Sequence, residues 1–333
     1  MTPAERYAAK LAQEWRRWSM DDKQRTQAIA DLLRQVNAEL QTAILSAANA
    51  QGTLTIQQME QIRAQIDGSM GRFRAGYSAV MESQLTGAAQ ASLWAQNEAW
   101  AVYAPQIASP IPTSIVTDVV AQMRMREFNK LNLSDRIWRL DQGTRSLLER
   151  DILAQITEGS SAAKMAKRIE QYLLPGREVP RGEVPSAAYS NQPKSVSYNA
   201  YRLARTEINQ TWHQVRNRVD EVLAEEDIVL GTRWVLSPQH TQRMLSATKG
   251  KRSRDICDDW AARMPGTAIL KGQPAVSTAA EQRMLAKLQK YGIDPRGVYL
   301  PGKAPTDHPN GLCHTESVLI PREVLMERYG VRL

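Results

Sequence analysis

Cysteine is the scarcest reactive side chain here: only Cys257 and Cys313 occur in 333 residues. Two thiols cannot build a disulfide scaffold, and their scarcity suits assembly in a reducing cytoplasm. Long apolar runs are missing as well. No window approaches the ~18 uninterrupted apolar residues of a membrane-spanning helix, and the opening MTPAERYAAKLAQEW carries charges where an export signal needs an apolar core. Neither export nor a membrane partner is expected. Phenylalanine is nearly absent, two residues against eight Trp and twelve Met, so the core is expected to rest on Leu, Ile, Ala and Met with Trp as anchor. No phosphate-cradling glycine loop, paired-carboxylate motif or HExxH sequence occurs, so no catalytic residue and no cofactor is assigned.

What the chain does have is helical periodicity. Leu11, Trp15 and Trp18 begin a stripe that Ile29, Leu32, Leu33, Val36, Leu40, Ile44 and Leu45 continue. Gln51-Gly52 breaks it. Thr55 with Gln58 forms a capping-box pattern that opens a run from Ile56 to Leu85 at three- and four-residue steps, followed by an Ala-rich run to Tyr103. The prolines at 105, 110 and 112 end that region. Ile115 to Phe128 and a helix capped at Ser134 follow, then Gly159 as a stop and Ser160 or Ser161 as the next cap. The length favours more than one compact unit, since single cores stop growing near ~250–300 residues. Four consecutive parts are expected: an N-terminal helical region over 1–104, a helical middle over 113–174, a Pro-rich strap over 175–198, and a final part over 199–333. The last combines a central helix with one or two short strands within 227–236, strands near 298–300 and 317–320, and a helix opened by the capping-box pattern of Thr278 with Glu281 and stopped at Gly292. The fold class is thus mainly α, with long helices in the N-terminal region and middle and a small C-terminal α+β module.

Within Tyr201 to Leu223, Ile208, Trp212, Val215, Val219 and Leu223 form one apolar face, with Arg205, Glu207, Arg216 and Arg218 placed elsewhere, which predicts a packed helix with Trp212 buried against the helical middle. Arg205 and Glu207 are two residues apart, so they cannot face each other and each needs a different partner. Ala204 to Asn209 reads ARTEIN, preceded by LSDRIW at Leu133 to Trp138 and GSSAAKMAKRIEQYL at Gly159 to Leu173. Cys257 and HPNGLCHTESVLIP at His308 to Pro321 follow it. In content and order these stretches resemble the MuF-like phage head morphogenesis family of minor head proteins, over roughly the last two-thirds of the chain. The resemblance marks Arg205, Glu207, Asn209, Trp212, Cys257, His308, Pro309, Asn310 and Cys313 as structural motif residues. It implies a virion protein of the phage head, present in the host cytoplasm during assembly, that acts in procapsid and head assembly near the portal and in genome packaging or delivery. Portal, capsid or scaffolding proteins are the implied partners, with phage DNA a further one; the role implied is not enzymatic.

Family members place Cys-x-x-Cys before HPNCRC, in the manner of a tetrahedral zinc clip. Here Trp260 and Gly311 stand where two of those cysteines would be. Cys257, His308, Cys313 and His314 could supply four ligands, but the adjacent pair Cys313-His314 converges poorly on one ion. The expected state is a metal-free Cys/His knot. A Cys–His nucleophile oriented by Asp258 or Asp307 is the enzymatic alternative. Separately, Arg233, Arg243, Lys249, Lys251, Arg252 and Arg254 run without an intervening acid, and the chain carries a net charge of +8. Those from Arg243 onward are the expected contact to nucleic acid or to an acidic partner face, and they motivate the rival reading of a non-specific DNA-binding or condensing protein.

Overall fold

The computed structural model describes residues 2–20, 22–127, 130–174, 196–235, 261–262, 278–301, 303 and 314–331. Among them the chain runs α1 (Pro3–Met20), α2 (Asp22–Ala47), α3 (Ile56–Tyr103), α4 (Ile115–Met125), α5 (Leu133–Thr157), α6 (Ala162–Leu173) and α7 (Val196–Glu225). Strand β1 (Val229–Val235), α8 (Ala279–Lys290), β2 (Val298–Tyr299), β3 (His314–Leu319) and α9 (Arg322–Arg328) complete it. The fold is mainly α with a small C-terminal α+β part. The helices divide between two compact units, Met1–Met20, Thr86–Val120 and Ile208–Leu333 forming unit 1, and Asp21–Leu85 and Ala121–Glu207 forming unit 2. Each unit is discontinuous in sequence, and α3, α4 and α7 each contribute residues to both.

Unit 2 is a set of packed helices. The α3 stripe of Met59, Ile62, Ile66, Met70, Phe73 and Tyr77 is buried throughout, at the spacing one helical face requires. Polar bridges fix α3 antiparallel to α5: Arg63 Nε meets Glu149 Oε2 at 3.2 Å, and Arg145 reaches both Asp67 and Asp141. The cap of α5 differs from expectation. Asn132, not Ser134, is the N-cap; its side chain accepts from the Asp135 amide while Asp135 accepts from the Asn132 amide at 3.1 Å. Ser134 sits in the first turn and donates to Asn132 Oδ1 at 2.8 Å. A reciprocal box satisfies two orphan amides where Ser134 would satisfy one, and such caps are worth ~1 kcal/mol. Gly159 closes α5 with φ of 69°, and Ser161 caps α6 by accepting from the Lys164 amide. The resulting hairpin is pinned by Asp151, which accepts from Arg168 Nε at 2.7 Å and the Tyr172 hydroxyl at 3.0 Å.

Unit 1 surrounds the C-terminal half of α7 with α1, part of α3 and a three-stranded antiparallel sheet ordered β2-β1-β3. Thr232 pairs with Tyr299 on one side and Ser317 on the other. The register slips between Val229 and Gly231, placing a bulge at Leu230. Gly231 is required by contact: a Cβ there would lie 2.6 Å from Val298 Cγ1 and 2.8 Å from the Tyr299 carbonyl oxygen. Distant stretches are tied by buried hydroxyls. Tyr7 donates to Gln96 Oε1 at 2.7 Å, Ser92 to the Trp212 carbonyl at 2.9 Å, and Tyr103 to the Ile320 carbonyl at 2.6 Å. No helix among the described residues is long and apolar enough to cross a membrane.

Candidate functional site

The motif residues of α7 fall into two groups, one in each unit. In unit 2, Glu207 is fully buried, and Arg136 Nη1 donates to its Oε1 at 2.5 Å. Arg126 Nη2 approaches both carboxylate oxygens at 3.3 and 3.4 Å. Arg136 is buried too and also donates from Nε to the Asn132 carbonyl at 3.3 Å. LSDRIW and ARTEIN, 71 residues apart at these positions, thus supply the two ends of one buried ion pair. Tyr77 lies in the same environment, fully buried, with its hydroxyl donating to the Ala200 carbonyl at 2.7 Å. Burial first, and then the Glu207 charge, push the Tyr77 phenol far above its ordinary range, so it stays a neutral donor. Arg205 points to solvent and Asn209 is half-buried, in keeping with separate surroundings for Arg205 and Glu207.

In unit 1, Trp212 is 2% exposed. Its partners are not the helical middle but two tryptophans of α1: Trp18 stacks on it at 5.5 Å between centroids, and Trp15 tilts against it at the same distance. Trp15 also lies 5.0 Å from the His213 ring. The face of α7 was legible; its partner was not, because periodicity reports which side is buried and not by what.

Two further residues of α7 were expected off the apolar face or passed over, and both are buried. Arg216 and Asp220 are each 1% exposed. Asp220 Oδ2 accepts from the Thr232 hydroxyl of β1 and Oδ1 from the Ser317 hydroxyl of β3, both at 2.5 Å. Burial pushes the Asp220 carboxyl up to about 6, against the opposing pull of those two hydroxyls and of Arg216. Burial likewise lowers the Arg216 guanidinium, which Asp220, Tyr7 and Glu316 attract. The sequence signal that identifies this pair is its spacing, since Trp212, Arg216 and Asp220 follow one another at four-residue steps along the buried face.

Cys257, His308, Pro309, Asn310 and Cys313, and the basic residues Arg243, Lys249, Lys251, Arg252 and Arg254, lie outside the described residues, as does the His314 side chain. The proposed knot, its metal-binding alternative and the basic loop therefore stand as sequence expectations. Arg233, which opens the basic run, is committed within the fold, donating to the Asp294 carbonyl at 2.6 Å. Among the described residues no group of three or more His, Cys, Asp or Glu is placed to hold a metal ion. The chemistry of the described centres is ion pairing and hydrogen bonding that fasten one element to another. No known protein family, curated protein or solved structure matches the chain.

Proposed function

We propose that this protein is a structural component of a phage head, a minor head protein of the MuF-like kind that joins procapsid assembly near the portal. The observation carrying this reading is the Arg136–Glu207 pair. Two motifs quoted for the resemblance, remote in sequence, act as one constellation, and its chemistry is that of a fastening rather than of a catalyst. Buried ion pairs of this kind favour one geometry over alternatives at little net gain in stability. A part that must fit a symmetric shell needs such a defined geometry.

Portal, capsid or scaffolding proteins are the proposed partners, and the net charge of +8 favours an additional contact with packaged DNA. The test is particle composition. Heads purified from cells producing the chain alongside its phage should retain it through gradient sedimentation and high-salt washing. A chain that remains wholly in the soluble fraction while heads form normally without it refutes the assignment. A non-specific DNA-binding protein would instead bind free duplex with steep salt dependence and be absent from empty procapsids.

A further inference from the structure

We propose that Asp220 is a proton-operated lock in unit 1: uptake of one proton from solvent by its carboxyl tightens the junction of α7 with β1, β3 and α1. The inference is independent of the phage-head reading and rests on how this carboxylate is held.

Asp220 sits where helix and sheet meet, and each of its oxygens is engaged by one neutral hydroxyl, Thr232 from β1 and Ser317 from β3. The charged donor one turn earlier does not reach it. None of the Arg216 side-chain nitrogens has a hydrogen-bond partner, although the residue is 1% exposed. The carboxylate is therefore buried with attraction from a distance but no direct ion pair, the situation in which the charged form is costly and the neutral form is not. Protonation does not break the network. A hydroxyl can donate or accept, so Thr232 or Ser317 can turn to receive the new O–H.

The surrounding groups keep this titration distinct. From α1, Tyr7 faces the cluster; it is fully buried, donates to Gln96 of α3, and burial holds its phenol far above the ordinary range, so it remains neutral. From β3, Glu316 attracts Arg216 and is half-buried. On α7 itself, Glu221 is paired with Arg218 at 2.8 Å and with Lys303 at 3.4 Å, and its charge adds slightly to the burden on Asp220. From β1 only the neutral Thr232 hydroxyl reaches the carboxylate.

The sign follows from linkage. The Asp220 value in the folded unit, about 6, lies above the ordinary 3.8, so the closed unit binds the proton more tightly than the open one. The added stability is complete below the ordinary value and is lost as pH rises through about 6. Over that window the closed-to-open ratio of unit 1 should change on the order of 100-fold.

The experiment is amide hydrogen exchange on the full chain between pH 4.5 and 7.5, corrected for intrinsic exchange, comparing the parent with Asp220→Asn. Protection of β1 and of the 208–225 part of α7 should fall in the parent as pH rises. In Asp220→Asn, which is neutral at every pH and keeps an acceptor and a donor, it should be flat. A parent profile as flat as the variant overturns the lock, as does a variant that retains the parent's slope. Should Asp220→Asn fail to fold, infrared spectroscopy of the parent with isotopically labelled aspartate decides the matter. A protonated-carboxyl band growing in with a midpoint near 6 supports the lock, and its absence at pH 4.5 overturns it.

Discussion

Glu207→Gln is the sharpest single test of how unit 2 is held. The change preserves shape and an acceptor oxygen but removes the charge facing Arg136, whose side chain is 3% exposed. Truncating one partner of a buried pair leaves an uncompensated charge and costs ~3–5 kcal/mol, whereas replacing both by apolar groups of similar volume is often neutral or stabilising. Arg126 softens the second case, since it is the more exposed of the two arginines and can carry its head group to water. The expected pattern is therefore a large loss for Glu207→Gln, similar losses for Glu207→Met and Arg136→Met, and a double replacement by Met that recovers most of it, with a coupling on the order of 3 kcal/mol between the two Met replacements. Urea unfolding gives the magnitudes. Because the chain has two compact units, a single global transition is not assumed, and exchange protection along α5 localises the loss. A Glu207→Gln protein within ~1 kcal/mol of the parent would refute the argument, because that is the scale of an exposed pair. So would a double replacement as costly as the sum of the singles.

Trp212→Ala should cost ~3–5 kcal/mol and abolish the coupling of Trp15 and Trp18 to it, read by thermal melting and tryptophan fluorescence; an unchanged melt would place Trp212 outside the core. Gly231→Ala should cost ~1–3 kcal/mol by overpacking against Val298 and the Tyr299 carbonyl, with exchange at β2 rising first. Replacing Lys249, Lys251, Arg252 and Arg254 by Ser should lower the log-log salt slope of duplex binding by ~2–4 for all sequences alike. A variant with unchanged slope that no longer enters heads would assign the loop to a protein interface. Elemental analysis of the purified chain should find no stoichiometric zinc, and chelation should leave its melting unchanged; one zinc per chain lost together with the fold would reverse that assignment.

The helices were legible because their signals are local. The α3 stripe keeps its period through Gly68, Gly71 and Gly76, so the apolar face outweighs the glycine penalty of ~1 kcal/mol each and the helix runs unbroken from Ile56 to Tyr103. Thr278 accepts from the Glu281 amide as their spacing predicts, and of the two serines expected to cap α6 it is Ser161 that does so. Asn132 was passed over for Ser134 although Asp135 stands three residues beyond it, a box pattern present in the residues themselves. Tertiary partners were less legible. Glu207 and Arg216 read as polar positions on an amphipathic helix, yet both are buried; for Glu207 the reason is that a charged residue belongs on a core face once a distant element supplies its counter-charge. Arg136, 71 residues upstream of Glu207, is invisible to any window of sequence around Glu207.

The assembly of unit 1 from the first, middle and last stretches of the chain has a consequence for its synthesis. Tyr7, Leu11 and Trp15 leave the ribosome well before the surfaces that cover them, which include Trp212 and the strand ending at Leu319. At ~5–20 residues per second, the ~300 residues between them take roughly 15–60 s to be made. During that interval the buried face of α1 has only part of its native surroundings, the α3 residues such as Gln96 that follow it soonest, and nascent chains crowded on one message can meet through the remainder. Tyr103, whose hydroxyl closes onto the Ile320 carbonyl, must wait for a residue 217 positions further on. Unit 1 is complete only once Ile320 has been made, so a ribosome that stops short of it releases a chain with α1 only partly covered, a substrate for chaperones and proteases.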